Sequence, residues 1–405
     1  MLDALRVDYV TPDKMPFLCA MTTRASATVR HITPPIGFEP DDAYFAGAPL
    51  ESGDYFAEFV FCPERSPFGF VPSTIGAIID RLPWSVNLAA RVVVDYAARL
   101  LAKDPRLRDR CWPARVPLKH IAQFDMNCHH YPWSSSTETK DTVFNRVEAQ
   151  GGKYFVHAFP QHNVNSGAAA ERVERCVGGH ERLIYVHIGD LDRAGHRWGP
   201  ESKEVLATAQ LVDKAVQKIV AVVRSRVDDG DLFFLVFGDH GMVPVEHIVD
   251  TRGIEEKLRS LGEGMPPMFI DSVFVRLWLS GHRHCKRVVR VLEELDRVSI
   301  LKSQAGKGPI DDRFGTIIAM SLPGAIFHPS YYSCREPPRG MHGYGALAAG
   351  NRTLGIGWGA VDSGERVERA REGNEGKDVG LEWIYETVMK WLDVEDNCAR
   401  GRACT

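Results

Sequence analysis

The chain has 405 residues, 44% hydrophobic and 25% charged, which is enough to bury a sizeable core in one large domain with an insertion or in two domains. Its net charge of −4 supplies no basic footprint for a phosphate backbone, which excludes nucleic acid as the main partner, and no apolar run reaches the length of a membrane helix. Nine cysteines, scattered from Cys19 to Cys404 with no CxxC pair, suit a reducing compartment; the chain therefore reads as cytoplasmic, with no membrane partner and no cysteine zinc knuckle.

In chain order, the opening stretch MLDALRVDYV has neither a charged leader nor a long apolar stretch. No strand precedes Asp3. Either that strand lies outside this chain or an acid at this position has no sheet to hold it. Residues 182–189 (RLIYVHIG) and 231–237 (DLFFLVF) are short apolar runs rich in β-branched and aromatic residues, and they read as buried strands. Between them Val205, Ala209, Val212, Val216, Ile219 and Val223 recur at steps of four and three, the stripe of an amphipathic helix. Strand, helix and strand in that order predict a right-handed βαβ unit in a parallel sheet.

Beyond it, residues 272–279 (SVFVRLWL) alternate like a strand, and residues 285–298 read as a helix with Val288, Val289, Val291, Leu292 and Leu295 inward. These predict a small α+β unit over 251–325. The Pro/Gly-rich residues 326–346 read as a structured loop, residues 380–393 as a last helix, and the tail NCARGRACT as frayed.

The chemistry gathers at strand ends. In a parallel α/β sheet the carboxyl ends of the strands converge on one crevice, where ligands bind. Asp239 and His240 end one predicted strand in FGDHGM. GDLDRAGHRWGP follows the other, and there Asp192 and His196 lie four apart with Gly195 easing the backbone between them. Taken singly, each pair is also what a capping acid beside a surface imidazole looks like. Two such pairs in loops that should meet are what a divalent metal, zinc above all, draws from a protein, and two metals are a clamp for phosphoryl chemistry.

DRAGHRWGP, FGDHGM and RGMHGYG resemble, in that order, the three metal-binding segments of the type I phosphodiesterase and nucleotide pyrophosphatase family of the alkaline phosphatase superfamily. LDALRVDY resembles the family's opening segment, whose acid is a metal ligand. The resemblance implies an α/β fold, an alkaline-phosphatase-like three-layer sandwich with a mostly parallel central sheet. Residues 1–250 and 326–405 would form its core, and 251–325 a cap that partly roofs the site. It implies two divalent metal ions, zinc foremost, about 4 Å apart. By position, Asp192, His196 and His342 would hold one, and Asp3, Asp239 and His240 the other.

One departure stands out. The family has a threonine nucleophile ahead of a segment like TG..P..HG, and counting back from Gly47 puts Gly37 at that place. Thr33 would serve if the loop is shifted, although a threonine before two prolines is also an ordinary turn residue. Glu39, Asp41 or Asp42 would serve as an extra ligand or base, although an acidic run is also a solvated face. The reading preferred here is that no side chain becomes phosphorylated and a metal-bound hydroxide attacks directly.

Trp198 and Tyr344 flank expected ligands and are candidates to stack on a substrate. Cys128, His129 and His130, and likewise His282, His284 and Cys285, lack the second half of a zinc site and read as surface loops. The expected activity is hydrolysis of a small phosphorylated substrate, a phosphodiester or nucleotide pyrophosphate. The alternatives are a phosphomonoesterase, phosphonate hydrolase or phosphomutase on the same metals, or a relative that binds metal and nucleotide without turnover.

Overall fold

The computed structural model describes residues 1–24, 26–38, 41–47, 56–101, 116–126, 132–133, 142–159, 161–227, 232–262, 264–279, 281–306, 308, 310–333, 336–359 and 378–401. The valine stripe forms the helix Lys203–Arg224, and its first turn is closed by Ser202, whose hydroxyl accepts from the Val205 N–H. Val205, Ala209, Val212, Val216, Val220 and Val223 are buried along one face. Asp213 interrupts that stripe with a purpose: its carboxylate accepts from the N–H groups of Phe17 and Leu18 at the start of the helix Pro16–Thr22.

The flanking strands are Glu181–Val186 and Phe233–Phe237, and they are not hydrogen-bonded neighbours. Glu181–Val186 pairs in parallel with Lys153–His157. Phe233–Phe237 pairs antiparallel with Thr353–Gly359, which pairs antiparallel with Thr28–Ile32. Between the carboxyl ends of the two ladders lies Met1–Asp3. The Leu2 N–H donates to Phe237 O at 2.8 Å, the Asp3 N–H to Ile188 O at 2.9 Å, and the Ile188 N–H to Met1 O at 3.1 Å. The class is α/β, but the expected mostly parallel central sheet is replaced among the described residues by short, mixed ladders. The central link is three residues long, and it joins them at one end only.

Residues 251–321 hold a four-stranded antiparallel sheet in the order Val298–Lys302, Ile317–Ser321, Phe274–Leu277, Met268–Ile270, with the helices Thr251–Ser260 and His282–Glu293. All four residues of Phe274–Leu277 are buried, so the strand is covered on both faces rather than one. Arg276 lies in that interior with its Nε 2.6 Å from Asp271 Oδ2, and its guanidinium also donates to Phe59 O. The same apolar cluster takes in Phe68, Val71, Leu118 and Phe124, so the packing unit around this sheet extends well upstream of residue 251. Cys285 is buried in it, on the helix His282–Glu293 rather than in the expected surface loop. Cys128, His129 and His130 lie outside the described residues.

Candidate metal centre and active site

The helix Asp190–Trp198 begins two residues after the sheet bond of Ile188, so Asp192 and His196 sit one turn apart on one helical face rather than in the expected loop. Asp190 and Asp192 occupy the first turn, where the helix dipole favours negative charge. Gly195 has a different reason from the expected one. A Cβ there would lie 3.0 Å from Met242 Cε, so glycine lets the FGDHGM segment approach the helix closely.

That segment leaves the end of Phe233–Phe237 and is tied down by Asn351, which is fully buried. The Gly241 N–H donates to the Asn351 carbonyl at 2.8 Å, and the Gly343 N–H donates to Asn351 Oδ1 at 3.1 Å. Val243–Pro244 then pairs antiparallel with Gly340–Met341, which delivers His342 beside His240. Residues 326–346 thus contain two short strands, Ala325–His328 leading in and Gly340–Met341, where only a loop was expected.

Six side chains converge as two trios, Asp192, His196, His342 and Asp3, Asp239, His240, with the ligand atoms of each within 4.8 Å of one another. Asp192 Oδ1 lies 3.1 Å from His196 Nε2 and 3.7 Å from His342 Nε2. His240 Nε2 lies 3.6 Å from Asp3 Oδ1 and 3.5 Å from Asp239 Oδ2. The Nδ1 of His196 is 2.8 Å from Gly340 O, and the Nδ1 of His240 is 2.8 Å from Gly241 O. Those carbonyls accept from Nδ1, so it is Nε2 of each ring that faces the carboxylates, the arrangement by which an outer carbonyl orients a metal-ligating histidine. Asp192 Oδ1 is buried with no hydrogen-bond partner despite its two histidine neighbours. A cation between these atoms accounts for that orphaned oxygen, so the residues fit divalent metal ions.

The electrostatics agree. Burial, and then the neighbouring Asp3, push the Asp239 carboxyl up to about 6. Burial works against charge on Asp192 as well, but His196 and His342 hold it well below the usual carboxylate range. The His196 imidazole is raised to about 9: burial opposes its charge, and Asp192 outweighs burial. His342 is pushed far down by burial and by His240. Carboxylates and imidazoles this close at these depths need a common cation to be at ease together.

Asp3 is supported after all. Its backbone is held by Ile188, the Ala4 N–H donates to Asp239 Oδ1 at 3.2 Å, and His187 Nε2 lies 3.2 Å from Asp3 Oδ2. Ala4 takes a φ of 58° to make that turn, an uncommon conformation for a residue with a side chain. Sequence reasoning missed His187, although its place near the end of RLIYVHIG was the available signal.

Gly37 runs alongside the site: its N–H donates to Gly343 O at 3.2 Å, and the Phe38 ring stands edge-on to His342 at 5.5 Å. With φ at 130° and an added Cβ only 2.7 Å from Phe56 O, this position is shaped for glycine. Thr33 is placed at the end of Thr28–Ile32, its N–H donating to Val379 O, four residues from Gly37. Glu39 lies outside the described residues; Asp41 and Asp42 open the helix Asp41–Ala46. Trp198 is exposed with the Arg197 guanidinium 4.7 Å above its ring. Tyr344 is fully buried and its hydroxyl donates to Ala325 O at 2.7 Å, so its ring is core and out of reach of a substrate.

Residues 101–345 match the sequence profile of the family described as type I phosphodiesterase / nucleotide pyrophosphatase. The chain belongs to that family. Across 97% of its length it is similar in fold to human ectonucleotide pyrophosphatase / phosphodiesterase 5, with a TM-score of 0.59 at 14% identity over 93% of that chain. An inactive variant of the murine protein in complex with AMP gives a TM-score of 0.58 at 13% identity, with 97% and 93% covered. Local identity runs elsewhere too. It is 42% over 60 residues, 15% of this chain, with GPI ethanolamine phosphate transferase 1 of Aspergillus oryzae. It is 28% over 107 residues, 26% of this chain, with the Gibberella zeae protein of the same name. These matches span only 6% and 10% of the length of the two transferases.

Proposed function

We propose that this phosphoester-acting family member cleaves phosphodiester or pyrophosphate bonds of a small phosphorylated substrate at a site holding two divalent ions, zinc foremost. The observation that carries this reading is the pair of acid and histidine trios meeting through the stacked rings of His240 and His342, with an orphaned carboxylate oxygen in one of them. Asp192, His196 and His342 would hold one ion, and Asp3, Asp239 and His240 the other. Bound there, such ions offset charge on the phosphoryl oxygens and acidify water.

The chain's own residues do the positioning. The carbonyls of Gly340 and Gly241 fix the two ring tautomers, His187 orients Asp3, and Phe38 covers one edge of His342. Gly37 offers no side chain for attack, so water is the nucleophile and configuration at phosphorus inverts. The described free thiols Cys19, Cys62, Cys176 and Cys285 accord with the cytoplasmic location we assign.

A second reading is transfer of the phosphoryl group to an alcohol instead of water, favoured by the local identity to the ethanolamine phosphate transferases. Rates on p-nitrophenyl diester and monoester substrates, with product analysis in the presence of ethanolamine, test both. Diester turnover that inverts a chiral phosphorus and vanishes in His342→Ala supports hydrolysis by water. Retention of configuration overturns direct attack, monoester preference points to a phosphomonoesterase, and no turnover by metal-loaded protein sinks the catalytic reading.

A further inference from the structure

Three histidines serve the two trios, and one of them lacks an anchor. The Nδ1 atoms of His196 and His240 each face a backbone carbonyl, whereas the Nδ1 of His342 is buried with no hydrogen-bond partner among the described residues. An imidazole without that outer bond turns about its Cβ–Cγ bond unless packing stops it. Three rings surround it. His240 lies face to face at 3.6 Å and His196 is tilted by 49° at 5.2 Å, but both are expected ligands themselves. The third is Phe38, edge-on at 5.5 Å and 85°.

Phe38 is itself held. Its N–H donates to Phe56 O, and its ring meets the Phe274 ring edge-on at 5.4 Å and 77°. Phe274 is fully buried, packs on the Phe56 ring at 4.7 Å, and opens the strand Phe274–Leu277 of the four-stranded sheet. Two residues on, Arg276 ties that strand to Asp271 and, through Phe59 O, to the stretch that carries Phe56. His342, Phe38 and Phe274 thus form a continuous column of rings from an expected metal ligand to a sheet distant in sequence. Edge-to-face contacts are directional, so each ring limits the tilt of the next.

We propose that Phe274 is a positioning residue of the metal centre, fixing the ring of His342 through Phe38. The inference rests on the reading of the two trios as metal sites and goes beyond it, since it makes the four-stranded sheet part of the support of one ion. The next residue, Val275, packs in a different apolar cluster, with Phe269 and Leu277, on the other side of the same strand. It provides a control in which the sheet is weakened and the column left whole.

The test is the zinc affinity of the purified full chain, read by competition against a chelating dye, with the melting temperature of each variant. Phe38→Leu and Phe274→Leu are each expected to weaken zinc binding by about tenfold or more. Phe38→Tyr, which keeps the ring, should retain the parental affinity. The double variant Phe38→Leu/Phe274→Leu should lose no more than Phe38→Leu alone, because the two act in series. Val275→Ala should lower the melting temperature and leave zinc affinity at the parental value. Equal affinity in the parent, Phe38→Leu and Phe274→Leu overturns the proposal with the metal reading intact, and so does an affinity that Val275→Ala lowers as much as Phe274→Leu does. Additive losses in the double variant would break the route through Phe38 and overturn it too. A parent that binds no zinc sinks the metal reading itself, and this inference with it.

Discussion

The imidazole rings of His240 and His342 lie face to face, their centroids 3.6 Å apart and their planes 8° from parallel. One ring belongs to each acid and histidine trio, so the two trios share a wall. The neighbours of that wall set what should follow from changing it.

Asn351 is the residue through which the segments carrying His240 and His342 are held, by its carbonyl on Gly241 and its side chain on Gly343. Its replacement by alanine strands the buried Gly343 N–H and frees the loop that carries His342. We expect a loss of about 2–4 kcal/mol in unfolding free energy. Zinc content, measured on the dialysed protein, should fall as well. Retention of full zinc with only a stability loss would show that the loop keeps its shape without the clamp.

His187 Nε2 lies 3.2 Å from Asp3 Oδ2, and its charge also acts on Asp239. In His187→Ala, metal affinity is expected to drop by about 10–100-fold while the fold is kept, the usual cost of removing an outer partner of a ligand. His187→Gln, which can still donate to Asp3 Oδ2, should recover part of it. Competition titration against a chelating dye reads both, and equal affinities for parent and alanine variant would strip His187 of this role.

Protons and metal compete for the same atoms. His196 is raised to about 9 against the opposing burial by Asp192, so its charged form stabilises the metal-free fold at pH below its ordinary value and is lost as pH climbs through about 9. Asp239, raised to about 6 by burial and Asp3, stabilises the metal-free fold when protonated. That contribution is lost as pH rises through about 6. Metal must expel the His196 proton throughout the neutral range. Its affinity should therefore rise by about tenfold or more per pH unit between about pH 6.5 and 8.5, because His240 is held above its ordinary value as well: burial opposes its charge, and Asp239 and Asp3 outweigh burial. A flat profile over that range would mean that His196 does not give up a proton to the metal.

Installing the missing nucleophile should fail. Gly37→Thr places a side chain at φ 130° against Phe56 O, and we expect it to cost about 2–5 kcal/mol from backbone strain and overpacking, with no gain in turnover. Thermal melts and diester assays on the variant decide this. A stable, faster enzyme would show that the loop yields readily.

Much of this was legible in sequence because strand ends and helical periodicity carry local signals. The stripe from Val205 to Val223 gave its helix, and acid and imidazole together marked Asp192, His196, Asp239 and His240. His342 was reached only through the family resemblance, since its position depends on the pairing of Gly340–Met341 with Val243–Pro244, a contact between distant segments. The strand Thr353–Gly359 escaped notice because TLGIGWG carries three glycines, which argue against a strand until their neighbours are seen. A Cβ on Gly355 would lie 2.3 Å from the Trp383 ring. Tyr344 misled for the opposite reason: proximity in sequence to His342 says nothing about which way a ring turns, and this one turns into the core.

The close approach of Phe56 to Gly37 makes the two stretches mutually dependent: a β-carbon at position 37 would lie 2.7 Å from the Phe56 carbonyl oxygen, so any residue larger than glycine becomes tolerable there only where the backbone around Phe56 takes another path.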